Sequence, residues 1–262
     1  MEDVKELRCE SKGVFGKLGN RSHEQVIFCH DRSIGLRAII AIHDTTLGPA
    51  LGGTRFWNYA SDADALEDVL RLSEGMTYKS ALAGLNIGGG KSVIIGDPSK
   101  IKNEILMRRF GQFVHTLKGR YICAKDVNIH NSDILQIHTE TPYALGLPKA
   151  MGGAGDVSKA TSHGVFVAIK AMCKKIFGNE SLAGKRCFLQ GAGSVGMYII
   201  QELSQEGAHI YVHDINAAHC KKAQTFAHVT IVDESGMYDT EADFYIPCPN
   251  TCLLYTSDAA DE

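Results

Sequence analysis

Two lysines, one aspartate and a glycine turn carry most of the chemistry written in this sequence. Lys79 ends the run Gly75-Met76-Thr77-Tyr78-Lys79, on a largely apolar helical stretch. Lys91 follows Gly88-Gly89-Gly90 and precedes Ser92 to Ile95, a short apolar strand stopped by Gly96-Asp97-Pro98. A surface lysine needs no triple glycine before it. Such a run lets the backbone crowd a ligand and sets the next side chain in a narrow cleft. Two ammonium groups in one cleft depress each other's pKa, and burial depresses it further. One lysine can then serve as a neutral base while the other stays charged. Asp126 follows the apolar Tyr121 to Ala124, at the carboxyl end of a strand, where active-site groups collect in open α/β sheets. Each residue also has a plain structural reading: Lys79 as a helix lysine snorkelling to water, Lys91 as a strand-start residue, and Asp126 as a turn former.

The second constellation is Gly191-Ala192-Gly193-Ser194-Val195-Gly196, which fits G-x-G-x-x-G, follows an apolar strand and opens a helix. The first glycine makes a tight turn, the second lets a pyrophosphate approach the backbone, and the third allows close strand–helix packing. The helix N-terminus then faces the phosphates. Asp214 ends the next strand, 18 residues after Gly196. A carboxylate there can accept hydrogen bonds from both ribose hydroxyls and repels a 2′-phosphate, which favours NAD over NADP. The bland reading is a glycine turn in any α/β domain, with His213 a partly exposed strand-end residue.

The elements that must position these groups alternate. Gln25 to Cys29 and Leu36 to His43 read as strands, the second nearly all apolar. A helix starts at Ser61, with Asp64 in a near capping box, and runs past Gly75 towards Lys79. Leu106, Phe110, Phe113, Val114 and Leu117 fall on one helical face. The segment LPKAMGGAGDVSK reads as a hinge, followed by a helix from Ala160 to Ile176. Beyond it come strand (186–190), helix (194–205), strand (209–212), helix (217–227), strand (230–232) and a last strand (244–246). Such alternation implies a parallel, doubly wound sheet.

The chain has 262 residues, 44% hydrophobic and 22% charged, enough for two globular domains. A formal charge of −3 gives no reason to expect nucleic acid or an anionic membrane as partner. No apolar run approaches the ~20 residues of a membrane helix, and the charged start lacks a signal-peptide core. Eight cysteines form no C-x-x-C pair. They read as reduced, cytoplasmic thiols rather than a disulfide framework, and no metal site is expected.

The run from GPALGGTRFWNY through GMTYK to GLN-x-GGGK, with the glycine turn further on, resembles the Glu/Leu/Phe/Val dehydrogenase family, above all its leucine-specific members. The resemblance covers nearly all of residues 20–250. It implies an α/β protein of two domains: a substrate-binding, catalytic and oligomerisation domain over 1–147, and a Rossmann-type NAD-binding domain over 148–250. By that resemblance Lys79 binds the substrate carboxylate and Lys91 is the acid/base that activates water. Asp126 pairs with the amino group, Thr161 contacts the nicotinamide end, and Gly52 and Gly53 line the pocket. Glutamate-specific members carry a lysine before the paired glycines. Leu51 stands there in this sequence, and with Met76 and Ala124 it would offer an apolar wall. The implied reaction is NAD-dependent oxidative deamination of a branched-chain L-amino acid, L-leucine foremost, to its 2-oxo acid, ammonia and NADH. The implied assembly is a homo-oligomer, commonly an octamer. Valine is hard to separate from leucine, since one methylene gives only ~1–3 kcal/mol of discrimination.

The sequence departs from the family pattern in places. Lys125 stands where an acidic residue is expected, Asn128-Ile129-His130 replaces a small-residue loop, and Val157 and Lys159 replace two hinge prolines. These changes put the setting of Asp126 in question. The family continues beyond Asp-x-Tyr-x-Pro-Cys, which is met here at 243–248. The tail CLLYTSDAADE reads as one translated frame of a transposase sequencing adaptor, so 251–262 are expected to be non-native and the NAD-binding domain incomplete. On that reading the literal chain is an inactive NAD-binding fragment, or a relative with a binding or sensory role. Valine and phenylalanine dehydrogenases are the other enzymatic readings.

Overall fold

The computed structural model describes residues 13–155 and 157–248. Two of the eight cysteines (9 and 252), position 156 of the hinge segment and the tail lie outside the described residues. The chain divides into two compact units after Gly155.

The first unit is built on a five-stranded mixed sheet flanked by helices. In chain order it contains α1 (Val14–Arg21), β1 (Gln25–Asp31), β2 (Leu36–Asp44), β3 (Ala50–Trp57) and α2 (Asp62–Leu82). Then follow β4 (Gly88–Ile95), α3 (Pro98–Ile101), α4 (Glu104–Thr116), β5 (Tyr121–Lys125) and α5 (Asn131–His138). The strand order is β1-β2-β4-β3-β5. β1, β2 and β4 pair antiparallel, whereas β3 runs parallel to both β4 and β5. Side chains alternate across the sheet and feed two cores. Ile40, Phe56, Leu106, Phe110 and Tyr121 fill one face under α4 and α5. Ile39, Ala41, Leu66, Val69, Leu70 and Val93 fill the other, under α2. α2 begins as its sequence signal says: Ser61 caps it by accepting the Asp64 N–H at 3.1 Å.

Several sequence expectations need correction. The glycine run and Lys91 do not precede a strand that starts at Ser92; they form the first half of β4, which is buried along its whole length. The tight fit that the run was expected to make with a ligand is made here with the protein's own chain. A Cβ on Gly89 would collide with Thr77 and the Ser73 carbonyl of α2, so the glycine is what lets α2 lie directly on the strand. β3 went unread because two glycines and a preceding proline weaken any strand signal. The helix expected to reach Ala227 ends at Ala223.

The second unit contains α6 (Ser158–Phe177), β6 (Arg186–Gln190), α7 (Ser194–Gln205), β7 (His209–His213), α8 (Ala217–Ala223), β8 (Val229–Ile231) and β9 (Phe244–Pro247). Its sheet is all parallel, in the order β8-β7-β6-β9. Parallel sheets bury their strands, and Leu189, Ile210, Val212 and Ile246 pack with Ile199, Ile200 and Leu203 of α7. α6 ends on Gly178 in the left-handed conformation, φ 80°. Among the described residues no helix is long and apolar enough to cross a membrane.

Candidate functional site

In the first unit the strands set the chemistry on one face. The parallel register places Leu51 beside Gly89 and Arg55 beside Val93. By alternation Leu51, Gly53 and Arg55 share a face with Gly89, Lys91 and Val93. β5 adds Ala124 beside Gly53, and Asp126 follows at its carboxyl end. Lys91 Nζ lies 2.8 Å from Asp126 Oδ2, and the lysine side chain is 8% exposed against 24% for the aspartate. Gly53 is required here, because a Cβ on it would stand 2.7 Å from the Asp126 Cβ.

Burial is the main influence on Lys91 and holds its pKa below the usual lysine value, although Asp126 pulls it back up. The Lys79 charge also lowers it, by less than either burial or Arg55. The expectation that two lysines tune one another is therefore only a minor part of the account; desolvation dominates. Lys79 itself is exposed on the last turns of α2, and Met76 is half-buried one turn before it. For Asp126, burial opposes ionisation, yet the positive groups of Lys91 and Arg55 hold its carboxyl below the ordinary aspartate range.

Leu51 and Ala124 are half-buried on this face. Gly52 is not brought onto it. It fits against the Gly90 carbonyl on the opposite face, and its own carbonyl accepts the Tyr121 hydroxyl at 2.8 Å. The replaced loop after Asp126 is tied down. Asn128 takes a left-handed conformation, φ 59°, and donates to the Phe56 carbonyl at 2.9 Å, while Ile129 is 2% exposed.

The second unit carries the glycine turn. Gly191 has φ 92°, and a Cβ on Gly196 would collide with the Gly191 carbonyl. Both glycines are demanded by the fold. Gly193 is different: a Cβ there would meet nothing within 4 Å, so the protein's own packing does not require glycine. Room kept clear beside a helix start suits an approaching ligand. Ser194 and Val195 open α7, whose first turn has no side-chain cap and no acidic residue. These residues fit a dinucleotide pyrophosphate. A cavity of about 390 Å³ adjoins the turn, lined by Ala192, Gly193, Ser194 and Met197 of this segment and by His219 and Lys222 of α8.

Asp214 has a duty that the sequence did not disclose. Its Oδ2 accepts the Ala192 N–H at 2.7 Å and its Oδ1 the Asn216 N–H at 2.7 Å. His219 Nδ1 lies 3.1 Å from Oδ2, and the carboxylate is 8% exposed. Burial would raise its pKa, but these hydrogen bonds outweigh that and lower it. Before any ribose is considered, the carboxylate braces the glycine turn. Thr161, in the first turns of α6, is exposed, with its hydroxyl 3.0 Å from the Val157 carbonyl.

Residues 23–143 match the family model described as the Glu/Leu/Phe/Val dehydrogenase dimerisation domain, and residues 152–223 match the Glutamate/Leucine/Phenylalanine/Valine dehydrogenase model. The chain belongs to this family. It is 49% identical over 235 residues to leucine dehydrogenase of Geobacillus stearothermophilus, covering 90% of this chain and 64% of that protein. It is 47% identical over 249 residues to phenylalanine dehydrogenase of Lysinibacillus sphaericus, covering 93% and 65%. Among solved structures, L-tryptophan dehydrogenase from Nostoc punctiforme superposes with a TM-score of 0.66 at 39% identity, covering 90% of this chain and 66% of that one. The chain thus spans just under two thirds of the length of these curated relatives.

Sequence reasoning passed over three side chains behind the lysine–aspartate pair. Arg55 Nε lies 3.3 Å from Asp126 Oδ2, and its Nη1 lies 2.8 Å from Asp68 Oδ2. The Tyr59 hydroxyl donates to the same Asp68 oxygen at 2.6 Å. The signal was present in principle, since Arg55 stands two residues after Gly53 and so shares its face once β3 is read as a strand.

Proposed function

We propose that this protein catalyses NAD-dependent oxidative deamination of a branched-chain L-amino acid, L-leucine first, to the 2-oxo acid, ammonium and NADH. The observation that carries this reading is the buried Lys91 joined to Asp126 at 2.8 Å, in a chain of an amino-acid dehydrogenase family. In this reading the exposed Lys79 anchors the substrate carboxylate, and Asp126 receives the amino group. The 191–196 turn would hold NAD, with Thr161 expected towards its nicotinamide end, and the bound cofactor would supply the hydride acceptor. Lys91, with its pKa depressed by burial, supplies the neutral amine that removes a proton from water as that water adds to the iminium carbon. Loss of ammonia then yields the 2-oxo acid. Overall, amino acid, NAD⁺ and water give 2-oxo acid, ammonium, NADH and a proton.

Leu51 removes any cation that could meet a side-chain carboxylate at that position, and with Met76 and Ala124 it favours an aliphatic chain. The similar identity to leucine- and phenylalanine-specific relatives makes L-phenylalanine the second reading. A homo-oligomer, octameric as the resemblance implied, and a cytoplasmic location belong to the same proposal. The test is steady-state NAD reduction by the full-length polypeptide with L-leucine, L-valine, L-phenylalanine and L-glutamate. Highest kcat/KM for L-leucine supports the assignment. Preference for L-phenylalanine moves the specificity, and preference for L-glutamate overturns it.

A further inference from the structure

The Lys91–Asp126 pair does not stand alone. Both cations on Asp126 meet the same oxygen: Lys91 Nζ at 2.8 Å and Arg55 Nε at 3.3 Å, each from Oδ2. Arg55 is itself held from behind by Asp68 at 2.8 Å, and Asp68 by the Tyr59 hydroxyl at 2.6 Å. The guanidinium and Asp68 are only 20% and 16% exposed. A planar guanidinium with donors fixed in a fork can brace two carboxylates at once, which a lysine ammonium on a flexible stem cannot reproduce. β3 fixes where the fork starts, and α2 fixes Asp68, so the brace spans two elements.

We propose that Arg55 is a positioning residue for the proton-handling pair: braced by Asp68 and Tyr59, it holds Asp126 through Oδ2 and so turns Oδ1 towards the substrate's amino nitrogen. This rests on the functional reading above. The brace has a second consequence, because Arg55 brings a permanent positive charge next to Lys91. Asp126, Arg55 and Lys79 all act on the lysine; Asp68 and Tyr59 neighbour the guanidinium, and Tyr121 lies close enough for Asp126 to influence its hydroxyl. Of these, Arg55 opposes protonation of Lys91 more strongly than Lys79 does.

The experiment compares Arg55→Gln, Arg55→Lys and Tyr59→Phe in the full-length polypeptide. It uses two readouts: kcat and KM for L-leucine across pH, and titration of Lys91 by NMR of ¹³C-labelled lysine side chains. Arg55→Gln should lower kcat by about 10²-fold, the scale of a small misplacement of a reacting group, with KM changed far less. It should also move the Lys91 titration, and the acid limb of the rate profile, to higher pH. Arg55→Lys keeps the charge but not the fork, so its Lys91 titration should stay near the parent's while kcat remains low. Tyr59→Phe loosens the brace from its far end and should lower kcat modestly with no shift in the Lys91 titration. Parent-like kcat and titration in Arg55→Gln would overturn the proposal. So would an Arg55→Lys variant that shifts the Lys91 titration as Arg55→Gln does. If the parent turns over no amino acid, the functional reading fails, while the Lys91 titrations still decide whether Arg55 sets that lysine's charge.

Discussion

Gly53 lacks a side chain because Asp126 occupies the place where one would go: a Cβ on Gly53 would lie 2.7 Å from the Asp126 Cβ. Gly52, its neighbour, is held instead against the Gly90 carbonyl on the opposite face. Two adjacent glycines thus answer to different constraints, and their alanine variants should fail differently. Gly53→Ala pushes on the end of β5 and should displace the carboxylate from Lys91, lowering kcat by about 10²-fold. Its overpacking cost should be about 1–3 kcal/mol. Gly52→Ala forces β3 and β4 apart and should mainly lower Tm. Thermal melts beside steady-state assays check this. Gly53→Ala with parent kcat would show that Asp126 does not need its present position.

Lys79 and Lys91 should also separate in kinetics. Lys79 is exposed and Lys91 is buried against Asp126. Lys79→Ala should mainly raise KM for L-leucine, since an anchor for the carboxylate acts in ground and transition states alike. Lys91→Ala should mainly lower kcat, by ~10²–10⁴-fold, the usual worth of a general base. Near-normal kcat in Lys91→Ala at all pH values would remove Lys91 from the chemistry.

Much of this architecture was legible in the sequence, for identifiable reasons. α7 spans Ser194–Gln205 as its turn and periodicity indicate, and β6 matches its apolar run Arg186–Gln190. The Ser61 cap fixes the start of α2, the helix that carries Met76 and Lys79. What escaped were features set by tertiary contact. The glycines of β4 look like a loop until α2 is laid over Gly89, and β3 looks like a loop until Gly52 is seen against the Gly90 carbonyl. Arg55 escaped with β3, because its relation to Asp126 depends on a strand pairing, not on a sequence interval. Asp214 was read for a ligand, whereas its nearest partners are backbone N–H groups of Ala192 and Asn216.

Asp126 should control the pH at which Lys91 becomes available as a base. A neutral amine is required, so kcat/KM rises with pH through the Lys91 pKa. Burial holds that pKa below the usual value, and the Asp126 anion raises it again. In Asp126→Asn the raising influence is gone and the Lys91 pKa falls further. The acid limb should therefore move to lower pH, the direction opposite to that expected for Arg55→Gln, beneath a reduced plateau. A limb that moves to higher pH in Asp126→Asn would mean that a different group titrates.

Asp214 also bears on cofactor choice. Asp214 braces the glycine turn by accepting the Ala192 N–H at 2.7 Å, and its buried carboxylate is kept ionised by hydrogen bonds. An anion fixed there repels a 2′-phosphate, so NAD should be preferred strongly over NADP. Asp214→Ala removes both the repulsion and the brace. A hydrogen bond from a ribose hydroxyl of NAD to this carboxylate would contribute ~1.5–3 kcal/mol. Its loss should raise KM for NAD by about tenfold or more, at about 1.4 kcal/mol per factor of ten. The same change should relieve NADP only in part, because the slackened turn positions either pyrophosphate less well. His219→Ala is the control. It leaves both backbone contacts of Asp214 in place, so it should keep the preference for NAD with only a small rise in KM. Equal turnover of the parent with NAD and NADP would sink the assignment. A His219→Ala variant as impaired as Asp214→Ala would place the brace in the histidine instead of in the backbone contact.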